Sequence, residues 1–275
     1  MNSSQTYPGL RIWIAVIAVA VFVIGCFEWL YVRHHHYVFY TETKNRISHF
    51  FEKPNQRKKV ILIGNSLARH AIPFNLENYN PDFDFLRIQH SAFSFRDFLP
   101  VLDQLSAFDP DIIFIQTYLI YSNHSENEPR SNTLKYLLLP RSYTSNNLSY
   151  IKENTDSDDF AFQDQTPHYA SEFEISTASR LTNADAEFFH TILRKMKSKK
   201  TKIHFINFPR KKKLNLTFNY EKDLFPLTQN YQRPIDIFSE LPDSLYIDRS
   251  HLNYQGRLTI TPRLIFVADS LLRIP

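Results

Sequence analysis

The sequence predicts an α/β fold, a parallel β-sheet covered on both faces by helices. Three observations predict it. Short, continuously apolar runs recur along the chain, as in "KKVILIGNS" and "PDIIFIQTYLI", and strands buried on both faces read this way. Segments with helical spacing separate those runs, and strand–helix alternation builds parallel sheets. Hydrophobic residues make up 43% of the 275 residues, charged residues 22%, and the net charge is +4. That is the balance of a chain that buries a core, not of a disordered one. The small basic excess does not argue for nucleic acid as a partner, and no motif for it occurs. The 24 phenylalanines and 15 tyrosines suit a large aromatic core. The single cysteine, Cys26, excludes an intrachain disulfide and a cysteine zinc site.

The first element is an apolar helix. Residues Ile12 to Phe27 read "IWIAVIAVAVFVIGCF", and "EWLYV" follows. Ile12 to Val32 approaches the ~20 residues that cross a bilayer as a helix. Trp13, Trp29 and Tyr31 lie near its ends, where aromatic rings favour the interface. A cleaved signal peptide needs a shorter apolar region and small residues at its cleavage site. A lipidated Cys26 would be followed by polar chain, whereas here the apolar run continues past it. We therefore expect residues 1–32 to be a short tail and transmembrane anchor. Residues 33–57, polar and aromatic, are expected to form a juxtamembrane stalk. Its "RHHHY" has nothing nearby to complete a metal shell, and no metal is expected. Arg33, Lys44 and Arg46 outnumber Arg11, so the charge count favours a cytoplasmic domain.

Residues 58–275 are expected to form the folded domain. "KKVILIGNS" is the first strand and "FDFLRIQ" the second. "FRDFLPVLDQLSAF" is a helix limited by Pro100, or with Pro100 near its first turn. "PDIIFIQTYLI" is the third strand. Residues 122–183 turn polar and read as an insertion, loop-rich with some helix: a lid, a binding element or a disordered segment. "NADAEFFHTILRKMKSKK" has acidic residues early, lysines late and Asn183 as N-cap, the signature of a helix. "KIHFINF" is the fourth strand, "DSLYIDR" the fifth, and "NYQGRLTITPRLIFVADSLLR" a closing helix with Pro262 inside or near its start.

In open parallel sheets, ligands bind beyond the carboxyl ends of the strands. Ser66 lies just past the first expected strand, and Asp248 and His251 just past the fifth. A serine hydroxyl becomes a useful nucleophile when an imidazole accepts its proton. A carboxylate on the other ring nitrogen holds the imidazole in one tautomer. Asp-x-x-His lets one loop present both acid and base. Gly64, one of only four glycines, is expected where the chain turns sharply to expose Ser66. N–H groups after Ser66 would face a developing oxyanion. Neither motif is specific alone; their conjunction after the first and last strands carries the reading. His90 ends the second strand on the same edge and is a candidate substrate contact. His70, one turn after Ser66, is expected to pack or face solvent. "PRKKK" opens onto the same edge, and its Arg210 and Lys211 are candidates to attract an anionic glycan, phosphate or lipid headgroup.

"ILIGNSLARHAI" and "YIDRSHLNYQGR" resemble the first and last sequence blocks of the SGNH (GDSL-type) hydrolase superfamily. The resemblance spans roughly residues 58–275 and is carried by its two ends. It implies a flavodoxin-like, three-layer α/β/α fold, with Ser66 as nucleophile, His251 as base and Asp248 as its partner. The first block commonly reads Gly-Asp-Ser, where this chain has Gly64-Asn65-Ser66. The second block supplies a glycine N–H to the oxyanion hole; "IQHSAFSF" has no glycine, and Ser94 is the best positional match. The third supplies an asparagine, where this chain has Tyr118, with Asn123 a little downstream. Ser66, Ser94 and Asn123 are thus the candidate oxyanion donors. Such departures resemble membrane-linked acyltransferase relatives more than secreted lipases. The resemblance implies a serine esterase or O-acyltransferase without cofactor, acting on an acylated cell-envelope glycan or other ester. A membrane protein serving as acyl donor would be its partner, and the domain would lie outside the cytoplasmic membrane. The competing expectation is a non-catalytic module of the same fold that binds glycan or assembles with a membrane protein.

Overall fold

The computed structural model describes residues 8–53, 56–79, 81–90, 93–120, 183–197, 200–209, 234–236, 241–247 and 251–274. Five helices and five strands lie among them, alternating as far as β4. They are α1 (Pro8–Glu52), β1 (Lys58–Gly64), α2 (Ser66–Ala71), β2 (Phe83–Gln89), α3 (Phe95–Leu105), β3 (Ile112–Gln116), α4 (Asn183–Lys197), β4 (Lys202–Asn207), β5 (Ile235–Asp236) and α5 (Tyr254–Arg273). Single turns of tighter helix follow at Leu76–Tyr79, Thr117–Ile120 and Asp243–Leu245. The five strands form one sheet in the order β2-β1-β3-β4-β5, every neighbouring pair parallel. That order is one of the two common doubly wound arrangements.

Strand side chains alternate between faces, so each apolar run feeds two cores. Ile61, Ile63, Leu86, Ile88, Ile113 and Ile115 face the layer formed by α1, α3 and α4. Val60, Leu62, Phe83, Phe85, Ile112 and Phe114 face the layer formed by α2 and α5. This is why the strands lack a polar alternation: neither face meets water. Burial of each such side chain contributes roughly 1.5–3 kcal/mol.

Several boundaries differ from the sequence reading. The fifth strand is Ile235–Asp236, pairing with Ile206 and Asn207. "DSLYIDR" instead supplies the helical turn Asp243–Leu245 and an isolated antiparallel bridge between Tyr246 and Leu252. The third strand ends at Gln116, because Thr117–Ile120 coil into a tight turn. Pro100 lies inside α3 and Pro262 inside α5. Both prolines are exposed, so each helix absorbs the missing N–H bond on its solvent side. Asn183 is the first residue of α4 rather than its cap.

α1 departs most from expectation. One helix runs from Pro8 to Glu52 with no break between the expected anchor and stalk. Phe39, Thr43, Ile47 and Phe50, one stripe at helical spacing, are buried. Phe39 meets Phe98 of α3 edge-on at 5.9 Å, and Phe51 stacks on Phe108 at 4.7 Å. One face of the described part of the expected stalk therefore belongs to the core, while residues such as Lys44, Asn45 and His49 remain exposed. The described apolar side chains of the earlier half are exposed, Phe22 by 72%. Among the described residues no helix is long and apolar enough to cross a membrane. The insertion expected at 122–183 lies outside the described residues apart from Asn183.

Candidate active site

β1 pairs with β2 on one side and β3 on the other, so the chain reverses its direction of travel across the sheet beside β1. In doubly wound sheets the crevice at that reversal is where ligands bind. Ser66, the first residue of α2, stands directly beyond the carboxyl end of β1.

Both sides of Ser66 are held. Asn65 caps α2: its side-chain Oδ1 accepts from the Leu67 N–H at 3.1 Å. Gln116, the last residue of β3, locks the cap. Its Oε1 accepts from the Asn65 N–H at 2.9 Å, and its Nε2 donates to Asn65 Oδ1 at 2.8 Å. The backbone donors fix which way both amides face. Asn and Gln are almost fully buried here, at 3% and 1% exposure, so these bonds remove an otherwise costly pair of unsatisfied amides.

Gly64 serves a different purpose from the one expected. No described glycine has a positive φ, so conformational freedom is not what the position requires. A Cβ there would meet the Ala68 Cβ at 2.3 Å and Gln116 Oε1 at 2.6 Å. Gly64 is the gap that lets α2 and Gln116 close on the end of β1.

His251 is presented from the opposite end of the chain. The Ile247 N–H donates to His251 O at 2.9 Å and the Asn253 N–H to Leu245 O at 2.9 Å. Asn253 then caps α5, its Oδ1 accepting from the Gly256 N–H at 2.9 Å, while its Nδ2 donates to Ser244 O at 2.7 Å. Gly256 again is a matter of space, since a Cβ would lie 2.4 Å from Leu245 O. Tyr246 packs beneath this segment, its phenol pushed up to about 12 by burial and by Asp243. The result is a contact between residues 185 apart in sequence: His251 Nε2 lies 2.9 Å from Ser66 Oγ. Both side chains are half-buried.

The other candidates fall into three groups. Asp248, Asn123, Arg210 and Lys211 lie outside the described residues. Ser94 is occupied elsewhere: its N–H and its hydroxyl both donate to Asp97 Oδ2 at 2.8 Å, which caps α3. The N–H proposed as an oxyanion donor is thus committed to a structural bond. His90 is 5% exposed and lies within an aromatic cluster, 3.9 Å from the Phe93 ring and 5.4 Å from Phe39. Its described ring contacts are those of packing. Among the described residues no group of histidine, cysteine and acidic side chains could hold a metal.

His70, expected to pack or face solvent, packs: its ring lies 4.6 Å from that of His251, tilted by 52°. Gln116 escaped the sequence reading, although a polar residue ending an apolar run is a signal.

No family model matches the sequence, and no curated protein matches it. Among solved structures, one from Streptococcus pneumonia, provisionally named a platelet activating factor, aligns with 92% of this chain and 99% of its own. The identity is 14% and the TM-score 0.34; a likeness at that level carries no argument for fold or function.

Proposed function

We propose that this protein is a serine-dependent acyl-ester enzyme, an esterase or O-acyltransferase of the SGNH class that its two motif blocks resemble. The observation that carries the reading is the 2.9 Å contact between Ser66 Oγ and His251 Nε2. In the first half-reaction the Ser66 proton passes to His251 Nε2 as Oγ bonds to the ester carbonyl carbon. The tetrahedral adduct collapses, the carbon–oxygen bond to the leaving alcohol breaks, and His251 returns the proton to that alcohol. Water or a sugar hydroxyl then attacks the acyl-serine by the same route, regenerating Ser66. Asp248, three positions before His251, is assigned as the partner of its other ring nitrogen. The substrate class, an acylated envelope glycan, rests on the sequence resemblance. So does the extracytoplasmic side, which a reporter fused at the C-terminus tests. The membrane anchor rests on the exposed apolar half of α1 together with the residues that continue it.

One observation favours a second reading. The Ser94 N–H, one of the three candidate oxyanion donors, is already committed to Asp97, and losing one such donor costs about a hundred- to a thousandfold in rate. A protein of this fold could then serve as a glycan-binding or assembly module. Fluorophosphonate labelling separates the two. Wild type is expected to label and Ser66→Ala to remain silent. A folded wild type that does not label favours the binding module.

A further inference from the structure

We propose that Arg257 is a positioning residue that fixes the separation of Ser66 and His251, a role that rests on reading those residues as nucleophile and base. α2 has only six residues, so most of its carbonyls lack a partner within the helix. Two guanidinium groups take them. Arg257 donates from Nε to His70 O at 3.3 Å and from Nη2 to Arg69 O at 3.1 Å. Arg87, from β2, donates to Arg69 O at 3.2 Å and also to Ile72 O. Both side chains are buried, at 2% and 1% exposure. Positive charge at a helix carboxyl end is favourable, and a planar fork fixes direction as well as distance.

The two arginines tie α2 to different bodies. Arg87 ties it to the sheet. Arg257 lies in the first turn of α5, beyond the cap Asn253 and on the same hydrogen-bonded stretch that presents His251. His251 and Arg257 therefore move together, and so do Ser66 and the carbonyls of Arg69 and His70. Ser66 meets His251 through one side-chain hydrogen bond, and the other contacts between the two bodies are packing contacts, the His70 ring against His251 and the apolar side chains of α2 against α5. Packing sets a distance without a direction, and Arg257 adds directional bonds to the main chain of α2. Lysine, a single point charge, cannot hold both carbonyls in one direction.

The test uses the full chain carrying Cys26→Ser and Ser66→Cys, in which the introduced thiol is the sole one. Its alkylation by iodoacetamide is followed against pH. A thiol beside a competent imidazole ionises in the range of about 3.5–7.5 instead of near 8.5. Adding Arg257→Met is expected to raise the midpoint by about one pH unit or more toward ~8.5, and Arg257→Lys to raise it partway. A role in stability alone would lower the melting temperature and leave the midpoint in place. An unmoved midpoint in folded Arg257→Met overturns the proposal, and where that variant does not fold, an unmoved midpoint in Arg257→Lys does so. An ordinary midpoint in the parent overturns both this proposal and the base role of His251. With Ser66 restored, Arg257→Met is expected to slow fluorophosphonate labelling roughly tenfold or more. It should slow it no further in a His251→Ala background; additive losses overturn the proposal. A wild type silent to the probe sinks the acyl-enzyme reading, while the thiol midpoint still decides the role of Arg257.

Discussion

Replacing Gly64 by alanine tests whether Ser66 is placed by packing. The added methyl would lie 2.3 Å from the Ala68 Cβ, and ordinary contact begins at 3.4 Å, so α2 must retreat by about 1 Å. It would also lie 2.6 Å from Gln116 Oε1, the acceptor that satisfies the buried Asn65 N–H. Overpacking costs about 1–3 kcal/mol, and stranding that donor adds about 1–3 kcal/mol. Against a total stability of roughly 5–15 kcal/mol, much of the protein remains folded. Ser66 heads the displaced helix, so its 2.9 Å contact with His251 lengthens beyond hydrogen-bond range. A shift of that size is expected to cost about a hundredfold in reactivity. Urea denaturation reads the first quantity and the fluorophosphonate labelling rate of the folded fraction reads the second. Ala68→Gly on top of Gly64→Ala should restore part of both, because it removes the nearer clash and leaves the one with Gln116. A Gly64→Ala protein with the wild-type denaturation midpoint and labelling rate would refute the packing argument.

Two further outcomes are expected. Gln116→Leu strands the buried Asn65 N–H, costing about 1–3 kcal/mol in urea denaturation; Gln116→Glu keeps that acceptor but sets a buried carboxylate oxygen against Asn65 Oδ1, so its loss should shrink as pH falls and the carboxyl protonates, and a loss independent of pH would rule out that contact as its source. His204 is held below its ordinary pKa of 6.5, chiefly by burial and then by Lys202. The unfolded chain therefore binds the proton first, and stability should fall as pH drops below 6.5 toward the depressed value. His204→Phe, beside the Phe114 ring 6.3 Å away, should remove that part of the slope. An unchanged slope between pH 7 and 5 would rule out His204 as its source.

The central strands were legible because burial on both faces leaves an unbroken apolar run, and β1, β2 and β4 lie where those runs do. The fifth strand was not, because two residues on a sheet edge need no such run; "DSLYIDR" had the apolar content, but its described part, Asp243 to Ile247, forms a helical turn and the bonds that hold His251. The contact of Ser66 with His251 could be anticipated from the two motifs taken together, although the segment read as a strand before His251 is a helical turn and a bridge. What surrounds the pair could not. The need for Gly64 depends on how closely α2 approaches β1, a tertiary distance. Burial of Arg87 and Arg257 depends on orphan carbonyls of a helix too short to satisfy itself, and nothing in their own neighbourhoods of sequence marks them. Ser94 was matched by position alone, which carries no information about the capping carboxylate three residues on. The stripe Phe39, Thr43, Ile47, Phe50 was visible at helical spacing, yet the polar residues between them made the segment read as a spacer.

α1 extends over 45 residues, about 1.5 Å per residue along its axis. No proline interrupts it after Pro8, and the final stripe is clamped against α3 and the sheet. A rod gripped at one end conveys tilt, rotation and load applied at the other. Whatever takes up its exposed apolar end thereby sets the height and heading of the crevice at Ser66, because no slack tether lies between them. Inserting two helix-forming residues between the two halves would turn the face that bears Ser66 by about 200°, whereas the same insertion in a supple tether would leave reach and heading unaltered.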